Sequence, residues 1–207
     1  MLRKRLKDAA LDSTGLEDRQ TSHHFRKRRE ESEKKKKPKK QGESNPRAKN
    51  NKKSTFPKLS VLCDCLSHLT LSFHADRGPW PDYEYFKPLL DHASEIACIG
   101  RLLCDAGYDS EPNHLHARQQ HGTVAIMPAT SGRPTDQLPK AKHRRRMKAG
   151  WERYKKRYGQ RWQVEAMISM LKRLLGSALR ARHHWSRCRE IMLRVITLNA
   201  MILGAAI

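Results

Sequence analysis

Long apolar runs are missing from this sequence. No stretch approaches the roughly 20 consecutive apolar residues that a bilayer span requires. The most apolar segment, residues 191–207, is interrupted by Arg194, Thr197 and Asn199. No secretory leader is expected, because the N-terminus, MLRKRLKDAALD, turns charged again at once. Cysteines in matched pairs are lacking too. The five are Cys63, Cys65, Cys98, Cys104 and Cys188. An odd number without a secretory segment points to reduced thiols in a cytoplasm. Cys63 and Cys65 have no second pair at a ligand spacing, which argues against a zinc site built on them. Acidic residues are scarce: 21 Asp and Glu stand against 43 Lys and Arg, for a formal net charge of +22. Such an excess acts at long range and favours a polyanionic partner. Nucleic acid is the first candidate, and an anionic membrane surface is the weaker second.

What is present suffices for one domain with a core: 207 residues, 37% of them hydrophobic. There is no internal repeat. Residues 7–12 read as a short strand leading into a Ser13-Thr14-Gly15 turn. Composition then breaks over 22–57. From Arg26 to Lys53 there are 14 basic and 4 acidic residues and almost nothing apolar. This segment cannot bury a core and reads as a basic insertion between the first two strands, suited to a DNA backbone. Residues 58–64 and 67–75 read as an antiparallel hairpin. A helix is expected near 83–94, a strand over 97–104 interrupted by Gly100, a helix over 111–120 and a short strand over 123–127. Residues 128–150 read as a basic loop, and two helices over 151–175 and 184–204 close the chain. The expected class is therefore α/β, a mixed sheet flanked by helices.

Chemistry is easiest to find on the helix over 151–175. Tyr158, Arg161, Glu165 and Lys172 fall inside an arc of roughly 60° when counted at 100° per residue. Val164, Met167, Ile168, Leu171 and Leu175 occupy a separate apolar side. The helix can thus bury one face and present Glu165 at its border. An ordinary amphipathic helix with an Arg161–Glu165 pair would look the same by itself. Two further carboxylates alter the balance. Asp12 is placed at the end of the first strand and Asp105 at the end of a later one. Each alone would read as a turn former. Two on separate strands and one on a following helix can converge at one sheet edge. Converging carboxylates repel unless cations neutralise them, and hard oxygen donors select Mg²⁺ or Mn²⁺. A pair of such ions can drive phosphoryl displacement, which fits a basic chain and a phosphodiester substrate.

The segment YGQRWQVEAMISMLK resembles the Tyr-x2-Arg-x3-Glu-x6-Lys signature of DDE transposases of bacterial insertion sequences, at all four positions and all three spacings. LDSTGLE and LCDAGYDS resemble the segments that carry that family's first and second catalytic Asp. The resemblance implies an RNase H-like fold formed by 1–207 as a single catalytic domain. It implies two Mg²⁺ ions, with Mn²⁺ as a substitute, held by Asp12, Asp105 and Glu165. The activity implied is cleavage at transposon ends followed by strand transfer. Arg161 and Lys172 would grip phosphates and Tyr158 would position that DNA; charge and reach support the first two. Arg144, Arg145 and Arg146 in the basic loop are further candidate DNA contacts.

Two departures are visible. Only 128–150 is available where some relatives insert a large β-rich segment that holds a flipped base. The first strand starts almost at Met1, so a separate N-terminal DNA-binding region is expected to be lacking. The expected setting is a homodimer on DNA in the bacterial cytoplasm, at the nucleoid. The alternatives are an inactive remnant that binds DNA through its basic loops, and a general RNase H-like nuclease. The eleven histidines, His23, His24, His68, His74, His92, His114, His116, His121, His143, His183 and His184, read as surface or DNA-facing groups. Asp64 reads as structural and Asp109 as the cap of the following helix. Trp151, Trp162 and Trp185 read as core-packing or helix-docking residues, with stacking on a base the alternative for Trp162.

Overall fold

The computed structural model describes residues 4–18, 56–78, 81–129 and 138–205. The strands are β1 (Lys4–Gly15), β2 (Glu17–Asp18), β3 (Phe56–Asp64), β4 (Thr70–Gly78), β5 (Ala97–Cys104), β6 (Val124–Ile126) and β7 (Ala178–Leu179). The helices are α1 (Phe86–Ile96), α2 (Glu111–His121), α3 (Lys142–Ala149), α4 (Trp151–Tyr158), α5 (Trp162–Leu175) and α6 (His184–Ala205). Five strands form one sheet in the order β4-β3-β1-β5-β6, and β2 pairs with β7 in a small second sheet. β3 runs antiparallel to both its neighbours, β1 and β4, whereas β1–β5 and β5–β6 are parallel. This is the mixed sheet flanked by helices of an RNase H-like fold.

Period-2 alternation builds the layers. Ala9 and Leu11 of β1 point into one core with Phe86, Leu89, Leu90 and Ala93 of α1 and Ala117 of α2. Ala10 points to the other side, into a core with Val164, Met167, Ile168 and Leu171 of α5 and Ile191, Val195 and Leu198 of α6. The apolar stripe expected on the 151–175 helix is thus the one that α5 buries. Among the described residues no helix is long and apolar enough to cross a membrane.

Several expectations need correction. β1 does not stop at Asp12. Its pairing with β3 continues through Ser13 and Thr14 to Gly15, so Ser-Thr-Gly is strand and not turn. β5 runs unbroken through Gly100, where an added Cβ would lie 3.1 Å from the Lys7 carbonyl oxygen. Glycine there allows the two backbones to approach. The second hairpin strand starts at Thr70 and not at residue 67, because the Asp64 carboxylate accepts from both the Ser67 N–H and hydroxyl and shapes the turn. That is the structural role expected of Asp64. The 151–175 helix is broken by a 3₁₀ turn at Gly159–Arg161. The supposed loop 128–150 contains α3. The basic insertion 22–57 lies outside the described residues apart from Phe56 and Pro57, which belong to β3.

Candidate active site

Strand register brings the first two carboxylates together. Leu11 of β1 and Cys104 of β5 are the last partners of that parallel pair, and both point into the α1/α2 core. The next residues are Asp12, still in β1, and Asp105, the first residue past β5, close enough for the charge of Asp105 to act on Asp12. Past this point the neighbours part. β1 stays with β3, while β5 gives way to a 3₁₀ turn at Ala106–Tyr108, and the Asp105 carboxylate accepts from the Ala106 N–H at 2.7 Å. The two strands thus part at their carboxyl ends, and such a crevice is where open α/β sheets place their ligand sites.

The third carboxylate reaches the crevice from α5. One Arg161 guanidinium nitrogen lies 3.1 Å from Asp12 Oδ2 and the other 2.5 Å from Glu165 Oε1. A single cation thus spans two acids from different elements. The Arg161 guanidinium carbon sits 6.0 Å from the Tyr158 ring centroid, and the Trp151 ring meets Tyr158 edge-on at 5.1 Å. Lys172, two turns further along α5, donates to Thr14 Oγ1 at 2.7 Å. Tyr158, Arg161, Glu165 and Lys172 therefore all face the Asp12 end of β1, although the 3₁₀ turn interrupts the helix on which their common face was counted.

Electrostatics at the crevice are unbalanced. Burial pushes the Asp12 carboxyl above its ordinary value. The Ser13 N–H and Arg161 pull it back, while the charges of Asp105 and Glu165 push it up again. Burial works against the Arg161 charge, but Asp12, Tyr158, Glu165 and Asp105 outweigh it and hold the guanidinium firmly protonated. Behind Asp12, the Ser13 hydroxyl joins Ser60 Oγ at 2.7 Å and the Tyr108 hydroxyl at 2.8 Å, a chain that fixes β1 against β3 and the turn after Asp105.

The profile of the family described as the transposase DDE domain matches residues 5–200. This chain belongs to that family. A search of curated proteins finds no match. Membership assigns this transposase DDE domain to the transposase and nuclease type of polynucleotidyl enzyme, with DNA as its partner.

The three arginines of the basic segment separate in the structure. Arg145 and Arg146 are exposed on α3. Arg144 instead donates to Asp109 Oδ2 at 2.9 Å, and the Asp109 side chain is fully buried. Asp109 is therefore no helix cap; Ser110 caps α2 by accepting from the Asn113 N–H. Glu111 accepts from the His143 and Arg144 backbone N–H groups and so caps α3 from a distance. Sequence reasoning missed both contacts, since neither partner lies near the other in the chain.

The histidines are not uniformly surface groups. His114 is wholly buried, with Nε2 3.3 Å from Asp109 Oδ1. His116 and His121 both bond Asp91. Trp162 and Trp185 are 54% and 75% exposed, so neither packs into the core, whereas Trp151 packs against it.

Proposed function

We propose that this domain is an insertion-sequence transposase that cleaves DNA strands at transposon ends and transfers them to a target, using two Mg²⁺ ions, or Mn²⁺ in their place. Asp12, Asp105 and Glu165 would hold the ions. The donor set fits: three carboxylates offer hard oxygen ligands, and the desolvated Asp12 beside two like charges is a site that a cation relieves. The oxygens do not all lie within 4.8 Å of one another, so ion binding would have to draw the three carboxylates closer. When bound, such ions supply a nucleophile at neutral pH and stabilise the leaving oxygen of an in-line displacement.

The chain's own residues do the remaining work. Arg161 holds Asp12 and Glu165 in place while the crevice is otherwise uncompensated, and it turns to a phosphate when the acids are neutralised by other means. Lys172, steadied by Thr14, supplies a second phosphate contact beside the crevice. Tyr158 packs against Arg161 and limits where the guanidinium can go. Arg145, Arg146 and the basic stretch Arg26–Lys53 add sequence-independent backbone attraction in a chain of net charge +22. A homodimer on DNA at the bacterial nucleoid rests on the sequence resemblance.

The observation that carries this reading is the bridging of Asp12 and Glu165 by one guanidinium, with Asp105 just past the end of the adjoining strand. The test is strand cleavage and joining on a duplex with a candidate transposon end, with Mg²⁺ present. Glu165→Gln is expected to abolish both while DNA binding persists. Full activity in that variant would remove Glu165 from the site. Cleaved but never joined products would favour a nuclease, and salt-sensitive binding with no chemistry would favour an inactive DNA-binding remnant.

A further inference from the structure

α1 and α2 lie side by side on the sheet face opposite α5. Between them, His116 Nε2 and His121 Nε2 each sit 2.6 Å from one oxygen, Asp91 Oδ1. Asp91 is on α1, and both histidines are on α2, His121 being its last residue. Residues five apart on a helix do not stack as neighbours. The two rings converge because the carboxylate of the adjoining helix lies between them, and they meet edge-on with centroids 5.4 Å apart. Among the described residues, these are the one group of three His, Cys, Asp or Glu side chains whose ligand atoms all lie within 4.8 Å of one another.

We propose that Asp91, His116 and His121 form a second metal site, distinct from the acidic crevice, that takes a late first-row divalent ion such as Zn²⁺ and fastens α1 to α2. Two imidazoles and one carboxylate are borderline donors that suit Zn²⁺ and its neighbours. Mg²⁺ selects all-oxygen sites and belongs with the acid trio instead. The imidazoles are 19% and 18% exposed and the carboxylate 45%, so the ligands are sheltered while a fourth position stays open to water. Tetrahedral Zn²⁺ spaces its ligand atoms about 3.4 Å apart. An entering ion therefore needs each imidazole nitrogen to move less than about 1 Å from the Asp91 oxygen, and the half-exposed carboxylate can turn to allow it. α2 begins directly after the Asp105–Ser110 turn, so the clamp steadies the helix on which that turn ends.

The test uses the full chain, stripped with chelator and titrated with Zn²⁺ in excess Mg²⁺, which saturates the acidic crevice. One tightly bound equivalent is expected, with a Tm that rises with Zn²⁺ concentration. Asp91→Asn, His116→Gln and His121→Gln should each weaken binding by at least about tenfold, the scale on which even outer-shell changes act. Glu165→Gln should retain it. Co²⁺ in place of Zn²⁺ should give d–d bands without a thiolate charge-transfer band. His121→Gln, at the helix end, decides the matter if His116→Gln does not fold. Absence of Zn²⁺ binding in the natural chain, unchanged affinity in His121→Gln, or a thiolate band that puts the ion on cysteine would each overturn the proposal.

Discussion

Arg161 lies 3.1 Å from Asp12 where β1 and β5 part, and with the Ser13 N–H this guanidinium offsets part of the desolvation of that carboxylate. The contact joins a strand near the N-terminus to a turn near residue 160, and it closes only if sheet and helix are both in register. It also eases the repulsion within the acid trio, because one of the charges is matched from within the chain.

Asp12→Asn should therefore separate stability from activity. The Asp12 carboxyl is raised above its ordinary value, chiefly by burial, so the folded state holds its proton more tightly than the unfolded state does. Stability from this group is present below the unfolded value of 3.8 and is lost as pH rises through the folded one. At neutral pH in chelator, asparagine removes that burden. Tm is expected to rise by a few degrees, on the order of what 1 kcal/mol produces in a chain this size, while strand cleavage disappears. A fall in Tm would show that Asp12 stabilises the fold as an anion.

Glu111 gives the opposite sign. Burial opposes its charge, but the His143 and Arg144 N–H groups outweigh that and hold its carboxyl below the ordinary value. Its contribution is present above the unfolded value of 4.5 and is lost as pH falls through the folded one. Glu111→Gln should lower Tm at pH 7 by an amount typical of a lost charged cap, about 1 kcal/mol. The difference from the natural chain should shrink in thermal melts as pH falls through the lowered folded value. A difference that persists in acid would show that shape rather than charge matters at the cap.

The same helix marks where sequence reading runs out. The element order, the α5 stripe and the Tyr158–Lys172 spacing are local patterns, and local patterns are legible. Asp12 and Asp105 stand out mainly through the resemblance, because each alone reads as a turn former. α3 was not legible, because KHRRRMKA buries only Met147 and the N-cap residue before it, Ala141, offers no side-chain cap. Its stabilising partners are Glu111 and Asp109, more than 30 positions away. The break at Gly159–Arg161 was hidden for a related reason: apolar spacing runs on through it, and only the contacts of Arg161 with Asp12 and Glu165 depend on where that turn is placed. Asp91 and His116 are 25 positions apart on different helices, so no spacing rule joins them.

Thr14 tests whether Lys172 needs its anchor. Lys172→Met should weaken binding to a transposon-end duplex and reduce the slope of log affinity against log salt by about one contact. Thr14→Val removes only the hydroxyl that receives the ammonium, so a smaller loss is expected, with the salt slope unchanged. In the double variant the Thr14 effect should vanish, a coupling that a double-mutant cycle measures directly. Additive losses would show that the two residues act on DNA independently.

Three consecutive arginines on α3 offer the sharpest separation of fold from function. Arg144→Ala removes the guanidinium from a fully buried Asp109, which should cost about 3 kcal/mol of stability. Arg145 and Arg146 face solvent. Their alanine variants should leave stability within about 0.5 kcal/mol, yet each should weaken DNA binding and lower the salt slope by about one. Chemical denaturation and binding titrations across a salt series, run on all three variants, read both quantities. If Arg144→Ala unfolds no more easily than Arg145→Ala, the buried pair is not what holds α3 to the turn beyond Asp105. If Arg145→Ala and Arg146→Ala bind DNA as the natural chain does, the helix is a strut, and the backbone attraction must come from Arg161, Lys172 and the stretch between Arg26 and Lys53.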